Sequence, residues 1–414
     1  MMTFAIHTFG CKVNAYESQS LRERLLRQGF APAGKETAPD VVFVNTCAVT
    51  SEAERKDRQR IRNIRRKFPD AVIVVMGCSS QIHPEYYLEN CDHVFGTSQK
   101  SQVESCLGLS TKDHVVRENR NLSYDDTPIR HGEHEERAYV KVQDGCDNFC
   151  AYCLVPFARG NSRSRTKDSV LKECAALIED GVKEIVIGGI DTGSYASPDR
   201  EGYVLASLLE DIVSLQGDFR VRVSSLEASQ IDDRLIDVFA RNTKKLCPHF
   251  HIPLQSGSDR VLRLMNRKYG VDFFRRQVEK IRTALGNCAF STDVITGFPG
   301  ETEEDFCSTY DLLEDLLFMR IHAFPYSERP LTRALSLPDK VPVALRQERT
   351  RRLLLLSEEN EARYRKSLRG TRSGVLIEKK EREGIYSGYT ESYLIVSVPS
   401  ATDIRGCFQD IEWN

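Results

Sequence analysis

Short β-branched apolar runs alternate with amphipathic helical stretches along most of this chain, and few architectures accommodate that alternation. Over the first hundred residues, Phe4 to Phe9, Val41 to Val44 and Ala71 to Met76 read as buried strands. A helix carrying Leu21, Leu25 and Leu26 and ending at Gly29 separates the first two. A second helix follows the next strand and opens with Ser51-x-x-Glu54, the form of a capping box. The expectation is a small parallel sheet with helices on its faces. From Arg137 a longer series begins, with strands expected at Tyr139–Val142, Glu184–Ile187, Val221–Ser224, His249–Ile252, Ser291–Ile295 and Ile321–Phe324. Such a series predicts an incomplete β/α barrel, because a full eight-unit barrel takes about 250 residues. A long charged helix, Val343 to about Leu368, leads out. Val375–Ile377, Tyr393–Val398 and Cys407–Ile411 then stand between Gly-rich or polar turns, a pattern that predicts a small β-barrel. The fold class is therefore α/β multidomain. The expected divisions are an N-terminal parallel-sheet α/β domain over 1–109, a polar linker without periodicity over 110–135, the partial barrel over 136–368 and the β module over 369–414.

Composition narrows the chemistry. The chain is 40% hydrophobic and 29% charged, and no apolar run approaches the roughly 20 residues that span a bilayer. The opening stretch, MMTFAIHTFGCKVN, has neither a basic n-region nor a small-residue cleavage site, so a cytoplasmic protein without a signal peptide is expected. Thiols stay reduced there, so the thirteen cysteines point to metal or redox chemistry rather than a disulfide framework. Cys91, Cys106, Cys174, Cys288, Cys307 and Cys407 stand alone on apolar or loop stretches and are assigned no role. A net charge of −2 confines any nucleic-acid contact to local patches.

The strongest chemical signal is Gly145-Cys146-Asp147-Asn148-Phe149-Cys150-Ala151-Tyr152-Cys153. Three thiolates in one loop can hold three irons of a 4Fe–4S cube and leave the fourth iron open, as a catalytic centre requires. The loop follows the first strand of the longer series, at the end where β/α barrels place their sites. A zinc site is the competing reading, but zinc usually takes two C-x-x-C pairs and no second pair is near. Cys11, Cys47 and Cys78 form a second set, each just after an expected strand. In a parallel sheet those ends line one edge, so the three thiols can converge there; three unrelated core cysteines would look the same.

These residues also carry a family resemblance. Thr8-Phe-Gly-Cys11-Lys-Val-Asn14 with Glu17-Ser18, Asn45-Thr-Cys47-Ala-Val-Thr50, Met76-Gly-Cys78 and the stretch from Gly145 to Gly160 resemble the motifs of the methylthiotransferases, which use radical S-adenosylmethionine (SAM) chemistry. The likeness runs from about residue 3 to the C-terminus, where the β module is similar to a TRAM domain, a small RNA-binding barrel. The resemblance implies two 4Fe–4S clusters. Cys11, Cys47 and Cys78 would hold an auxiliary one that carries the sulfur. Cys146, Cys150 and Cys153 would hold the one that cleaves SAM to a radical. One SAM would methylate the sulfur and a second would yield the radical that removes hydrogen from an unactivated C–H bond. The resemblance also implies a flavodoxin- or ferredoxin-like reductant as partner. Cys11-Lys-Val-Asn14, Cys47-Ala-Val-Thr50 and Arg55-Lys-Asp-Arg-Gln-Arg60 resemble the branch that modifies N6-threonylcarbamoyladenosine beside the anticodon of tRNA. Other branches act on isopentenyladenosine in tRNA or on an Asp of a ribosomal protein.

Several further residues are weighed on that basis. Arg55, Arg58 and Arg62 lie in a uniformly basic stretch whose Ile61, Ile64 and Phe68 mark the opposite, buried face. They are candidates for RNA phosphate, with a plainly solvated helix as the alternative. Arg159, Arg163 and Arg165 follow the cluster loop and are candidates for RNA phosphate or the SAM carboxylate, with internal salt bridges as the alternative. Phe149 and Tyr152 within the loop, Gly188 and Gly189 after an expected strand, and Ser225, Glu227 and Asp293 at or near later strand ends are candidates for contact with SAM. Each of these could equally be turn chemistry or a satisfied buried polar group. Radical SAM enzymes often show a Gly-Gly-Glu stretch that receives the SAM amino group; here no Glu follows Gly189, so the resemblance does not carry that role over to Asp191.

Overall fold

A computed structural model of the chain describes residues 2–34, 37–107, 113–115, 119, 122–129 and 136–414. They divide into two compact units. The first comprises Met1–Arg130, Gln143–Arg165 and Ser327–Leu335, and the second His131–Val142, Thr166–Tyr326 and Ser336–Asn414.

The first unit opens with β1 (Thr3–Thr8), α1 (Lys12–Arg27), β2 (Ala31–Pro32), β3 (Val41–Thr46), α2 (Ser51–Lys67), β4 (Val72–Gly77), the short α3 (Cys78–Ile82), β5 (His93–Phe95) and β6 (Asp113–Val115). These strands make one six-stranded parallel sheet in the order β2-β1-β3-β4-β5-β6. Successive residues of its central strands serve opposite layers. Val41, Phe43, Val74 and Met76 pack with Leu21 and Leu25 of α1, while Val42, Val44, Ile73 and Val75 pack with Ile61 and Ile64 of α2. A parallel strand covered on both faces must be apolar at every position, which is why these strands read so clearly in the sequence. The two- and three-residue strands β2, β5 and β6 are too short to show a period. β6 and residues 119 and 122–129 fall in the stretch read as a linker, the rest of which lies outside the described residues. The described part is fastened to the unit: Ser20 Oγ donates to Thr127 O at 2.8 Å, and Arg165 Nε lies 2.7 Å from Asp126.

The start of α2 corrects one expectation. Thr50, in an extended conformation, is the N-cap and accepts from Ala53 N, so Ser51 is already helical. Glu54 does not reach back to the cap. It turns inward, where Arg329 Nη2 pairs with it at 2.6 Å.

The second unit begins with β7 (Arg137–Lys141), after which the chain enters the first unit through β8 (Gln143–Asp144), α4 (Val155–Arg159) and β9 (Arg163–Ser164). It then continues through α5 (Lys167–Glu179), β10 (Glu184–Gly188), α6 (Leu205–Ser214), β11 (Arg220–Val223), α7 (Asp233–Arg241), β12 (His249–His251), α8 (Asp259–Leu264), α9 (Val271–Leu285), β13 (Ala289–Thr296), α10 (Glu303–Asp315), β14 (Arg320–Pro325) and α11 (Val343–Ser367). β7, β10 and β11 form one parallel ladder and β12, β13 and β14 another. Parallel bridges Val221↔Leu246 and Ser225↔His251 join them, giving the six staves of an incomplete β/α barrel around one continuous core.

The chain closes with β15 (Arg372–Arg382), β16 (Ile385–Thr390), β17 (Ile395–Pro399) and β18 (Phe408–Glu412), a curled antiparallel half-barrel in the order β17-β16-β15-β18. β16 was not expected from the sequence, because Ser387 and Gly388 interrupt its apolar alternation. Gly388 is there for a close crossing, since a Cβ would stand 1.8 Å from Leu376 O. The half-barrel is fastened to the barrel around Glu184, which is fully buried at the start of β10. Arg220 Nε donates to it at 2.6 Å and Arg222 Nε at 2.9 Å, and Arg137 Nε lies 2.8 Å away. The same arginines reach the half-barrel's carbonyls: Arg220 donates to Gly374 O and Tyr389 O, Arg222 to Thr390 O and Glu391 O.

Candidate functional site

The register of the first sheet explains why three distant cysteines share one edge. Thr8 lies beside Asn45 and Asn45 beside Met76, so Cys11, Cys47 and Cys78 each follow, within three residues, a strand that ends at the same rim. Two glycines make that rim close-packed. A Cβ on Gly10 would stand 2.8 Å from Cys47 Sγ, and one on Gly77 would stand 2.5 Å from Thr46 O, at a φ of 116° that favours glycine. Asn14 is buried one turn into α1 and locks the rim, its Nδ2 donating to Phe9 O at 2.8 Å and Thr46 O at 3.0 Å. Cys47 is buried, Cys78 half-buried and Cys11 exposed. Burial, with the neighbouring Cys78 and Cys11, pushes the Cys47 thiol up to about 12. Burial raises the Cys78 thiol as well, against the opposing pull of Arg159 and Lys100.

The C-x₃-C-x₂-C loop belongs to this same unit. It is held by Cys146 N donating to Gly160 O at 3.1 Å, Cys153 N to Cys150 O at 2.9 Å, and Ala334 N to Ala151 O at 2.8 Å. α4, which follows Cys153, packs on α3, which begins at Cys78. None of the thirteen cysteines, all of them among the described residues, is in a disulfide.

The donor set fits iron–sulfur clusters. Backbone amides two residues on approach three of the sulfurs: Val49 N at 3.5 Å from Cys47, Asn148 N at 3.5 Å from Cys146 and Val155 N at 3.4 Å from Cys153. Such amides stabilise a ligating thiolate and tune a cluster's potential. Among the described residues, no three His, Cys, Asp or Glu side chains close on a single ion. Thiolates that each take a different iron of a cube stand further apart than that.

The candidate arginines separate into two kinds. Arg55, Arg58 and Arg62 lie on the outward side of α2; Arg55 pairs with Glu52 and Arg58 lies 4.7 Å over the Tyr86 ring. Internal acids engage Arg159, Arg163 and Arg165, as in the alternative weighed for them in the sequence. Arg159 is 1% exposed, and its Nη1 donates to Glu17 Oε1 and Asp144 Oδ1, both at 2.9 Å. Its Nη2 donates to Asn14 Oδ1 at 2.7 Å. Arg163 donates to Asp144 Oδ2 at 3.0 Å, and the buried Arg165 pairs with Asp126.

Phe149 is 54% exposed in a left-handed backbone conformation (φ 46°) and packs edge-on against Phe157; Tyr152 is half-buried.

In the second unit, the polar candidates gather at the C-terminal ends of the barrel strands. Gly188 ends β10, where a Cβ would stand 2.4 Å from Tyr139 Oη, and Gly189 N donates to Thr192 Oγ1 at 3.0 Å. Ser225 bridges to His251 through the backbone, and His251 Nε2 lies 3.2 Å from Asp293. Burial raises the Glu227 carboxyl, opposed by its ion pair with Arg267. Asp191 accepts from Gln230 Nε2 at 2.8 Å. The sequence did not single out Asp144, Lys100 or Arg329 for any role. Their partners lie 15 or more residues away, and no local pattern marks such pairings.

Fold and loop together define the class. Residues 140–313 match the radical SAM superfamily, and residues 3–96 match the uncharacterized protein family UPF0004. The chain is 38% identical to the threonylcarbamoyladenosine tRNA methylthiotransferase MtaB of Bacillus subtilis, over 98% of this chain and 92% of that one. It is 39% identical to the MtaB of Thermotoga maritima, over 95% and 91%. A tRNA-2-methylthio-N(6)-dimethylallyladenosine synthase of Solibacter usitatus is 35% identical over 92% and 87%. The chain belongs to the radical SAM methylthiotransferase family, of the MtaB type, and is a tRNA-modifying enzyme. Among solved structures, the radical SAM methyltransferase TsrM of Kitasatospora setae shares the fold, with a TM-score of 0.59 and 15% identity over 81% of this chain and 77% of that one. No described helix is long and apolar enough to cross a membrane.

Proposed function

We propose that the enzyme inserts a methylthio group at C2 of the adenine in N6-threonylcarbamoyladenosine, beside the anticodon of tRNA, using two 4Fe–4S clusters and SAM. The observation that carries this reading is the shared rim: Cys11, Cys47 and Cys78 gather at neighbouring strand ends in the same compact unit that holds the Cys146/Cys150/Cys153 loop. The names of the MtaB relatives supply the nucleoside. When bound, the cluster at the loop acts with SAM to supply the radical that an aromatic C–H bond requires, and the cluster at the rim supplies sulfur.

The residues divide the remaining work. Cys11, Cys47 and Cys78 hold one cluster and Cys146, Cys150 and Cys153 the other, with the amides of Val49, Asn148 and Val155 directed at their sulfurs. Phe149 and Tyr152 line the loop for SAM. In the barrel, Gly188 and Gly189 open the backbone, and Ser225, Glu227 and Asp293 offer acceptors for the SAM ribose and ammonium groups. The outward arginines of α2 take tRNA phosphate, and a flavodoxin- or ferredoxin-like protein delivers electrons.

The test is anaerobic reconstitution with iron and sulfide, followed by assay of the dithionite-reduced protein with SAM and tRNA. The reading requires about eight irons per chain, 5′-deoxyadenosine, and a nucleoside with the mass of methylthiolated threonylcarbamoyladenosine. About four irons with SAM cleavage and no thiolation would refute the auxiliary site. Methylthiolated isopentenyladenosine would transfer the enzyme to the other tRNA branch.

A further inference from the structure

The first unit buries a cluster of charges between its two cysteine-bearing segments. Arg159, from the helix that follows the C-x₃-C-x₂-C loop, donates to Glu17 and Asn14 of α1, the helix that follows Cys11. It also donates to Asp144, two residues before Cys146. Glu17 in turn pairs with Lys100, which is also buried, and Asp144 with Arg163 at 3.0 Å. Three cations thus meet two carboxylates. Taking so many charges out of water is costly, and a well-packed apolar plug would close the same space with less desolvation. The surplus charge is positive, and it stands at the rim: Asn14, to which Arg159 donates, itself donates to Thr46 O, the residue before Cys47, and α4, which ends at Arg159, packs on α3, which begins at Cys78.

A 4Fe–4S core of formal charge +2 carries a net −1 with three thiolates, and one more negative charge on reduction. We propose that Arg159 is a positioning residue that fixes the cysteine loop against the Cys11/Cys47/Cys78 rim and, together with Lys100, supplies the buried positive charge that balances the cluster held there. The inference rests on the two-cluster reading. Glu17 tempers that charge, so Arg159 and Glu17 act on the cluster's potential with opposite sign.

The test uses the full-length chain with Cys146, Cys150 and Cys153 replaced by Ala, so that only the rim can hold a cluster. After anaerobic reconstitution, the reduction potential is measured by dithionite titration followed by electron paramagnetic resonance. Arg159→Met should shift the potential downward, Glu17→Gln upward, and Arg159→Lys should return it towards the parent value. A residue that merely packs would not give shifts of opposite sign. In the six-cysteine enzyme, Arg159→Lys should keep SAM cleavage while methylthiolation falls by about 10²-fold, because the short ammonium cannot span Glu17, Asn14 and Asp144 together. A loaded rim whose potential ignores Arg159→Lys, Arg159→Met and Glu17→Gln alike, or shifts the same way in Arg159→Met and Glu17→Gln, overturns the proposal alone. A rim that binds no iron overturns the two-cluster reading and takes the proposal with it. Should Arg159→Met fail to fold, Lys100→Met, expected to shift the potential downward, and Glu17→Gln, expected to shift it upward, decide the sign.

Discussion

Glu184 offers a stability prediction whose size follows from its contacts. Replacing it by Gln keeps the shape and removes the one negative charge on which Arg137, Arg220 and Arg222 converge. Breaking a buried ion pair from one side costs about 3–5 kcal/mol. Here the orphaned guanidiniums keep other partners: four half-barrel carbonyls, Glu378 beside Arg137, and the rings of Tyr389, Tyr393 and Phe408. The low end, about 3 kcal/mol, is therefore expected. In a unit of about 250 residues that lowers Tm by about 6–12 °C. Calorimetry of the iron-free chain at pH 7, wild type against Glu184→Gln, measures it. The arginines hold the Glu184 carboxyl well below the ordinary range in the folded state, although burial alone would raise it. The stability it contributes is thus fully present above the unfolded pKa of about 4.3 and is lost as pH falls through the lower folded value. The gap between wild type and variant should accordingly narrow in acid. A shift under about 2 °C at pH 7 would mean that carbonyls and rings alone satisfy the arginines, and would refute the argument.

Other consequences are more local. Removing Arg55, Arg58 or Arg62 should weaken tRNA binding uniformly across sequences and lower the slope of log K against log salt by up to about 1 for each phosphate no longer neutralised, read by filter binding at several salt concentrations. An unchanged slope would return α2 to an ordinary solvated helix. Gly77→Ala forces a Cβ against Thr46 O and should cost about 1–3 kcal/mol, with loss of the iron bound at the rim; an unchanged Tm would show that the turn relaxes freely. In the iron-free chain at pH 8, iodoacetamide should modify the exposed Cys11 and spare Cys47, which with its thiol near 12 is thiolate in only about one molecule in 10⁴. Peptide mapping that found Cys47 modified as fast as Cys11 would contradict the burial of that thiol.

Much of the architecture was legible because parallel strands covered on both faces are written as unbroken apolar runs. β3 and β4 show this in the first unit, and β10 in the barrel. The convergence of Cys11, Cys47 and Cys78 was legible for a related reason: in a parallel sheet, residues just past consecutive strands share an edge. What escaped were pairings between distant segments. Arg159, Arg163 and Arg165 look from the sequence like a basic patch beside a cluster, yet Glu17, Asp144 and Asp126 draw them inside. The N-cap of α2 escaped because two adjacent hydroxyl residues can each cap, and only the extended backbone of Thr50 decides between them. The strands β2, β5 and β6 escaped because two or three residues hold no period.

The division of the chain bears directly on the chemistry. Residues Gln143–Arg165 leave the barrel series after its first strand, pack with the N-terminal sheet, and return. A reaction that generates a radical at one centre and delivers sulfur from another must bring both to a single carbon, and a displacement of about 1 Å can cost about 10²-fold in rate. Two centres on separately folded domains would inherit whatever freedom the hinge between them allows. Here both cysteine sets lie in one compact unit, joined by the buried contacts of Arg159 with Glu17, Asn14 and Asp144. Their separation is therefore set by close-packed side chains, which deform far less than a linker does. On the two-cluster reading proposed above, the detour of the loop out of the barrel series follows from that demand: seated on the sheet, the Cys146/Cys150/Cys153 loop keeps a fixed distance from the Cys11/Cys47/Cys78 rim.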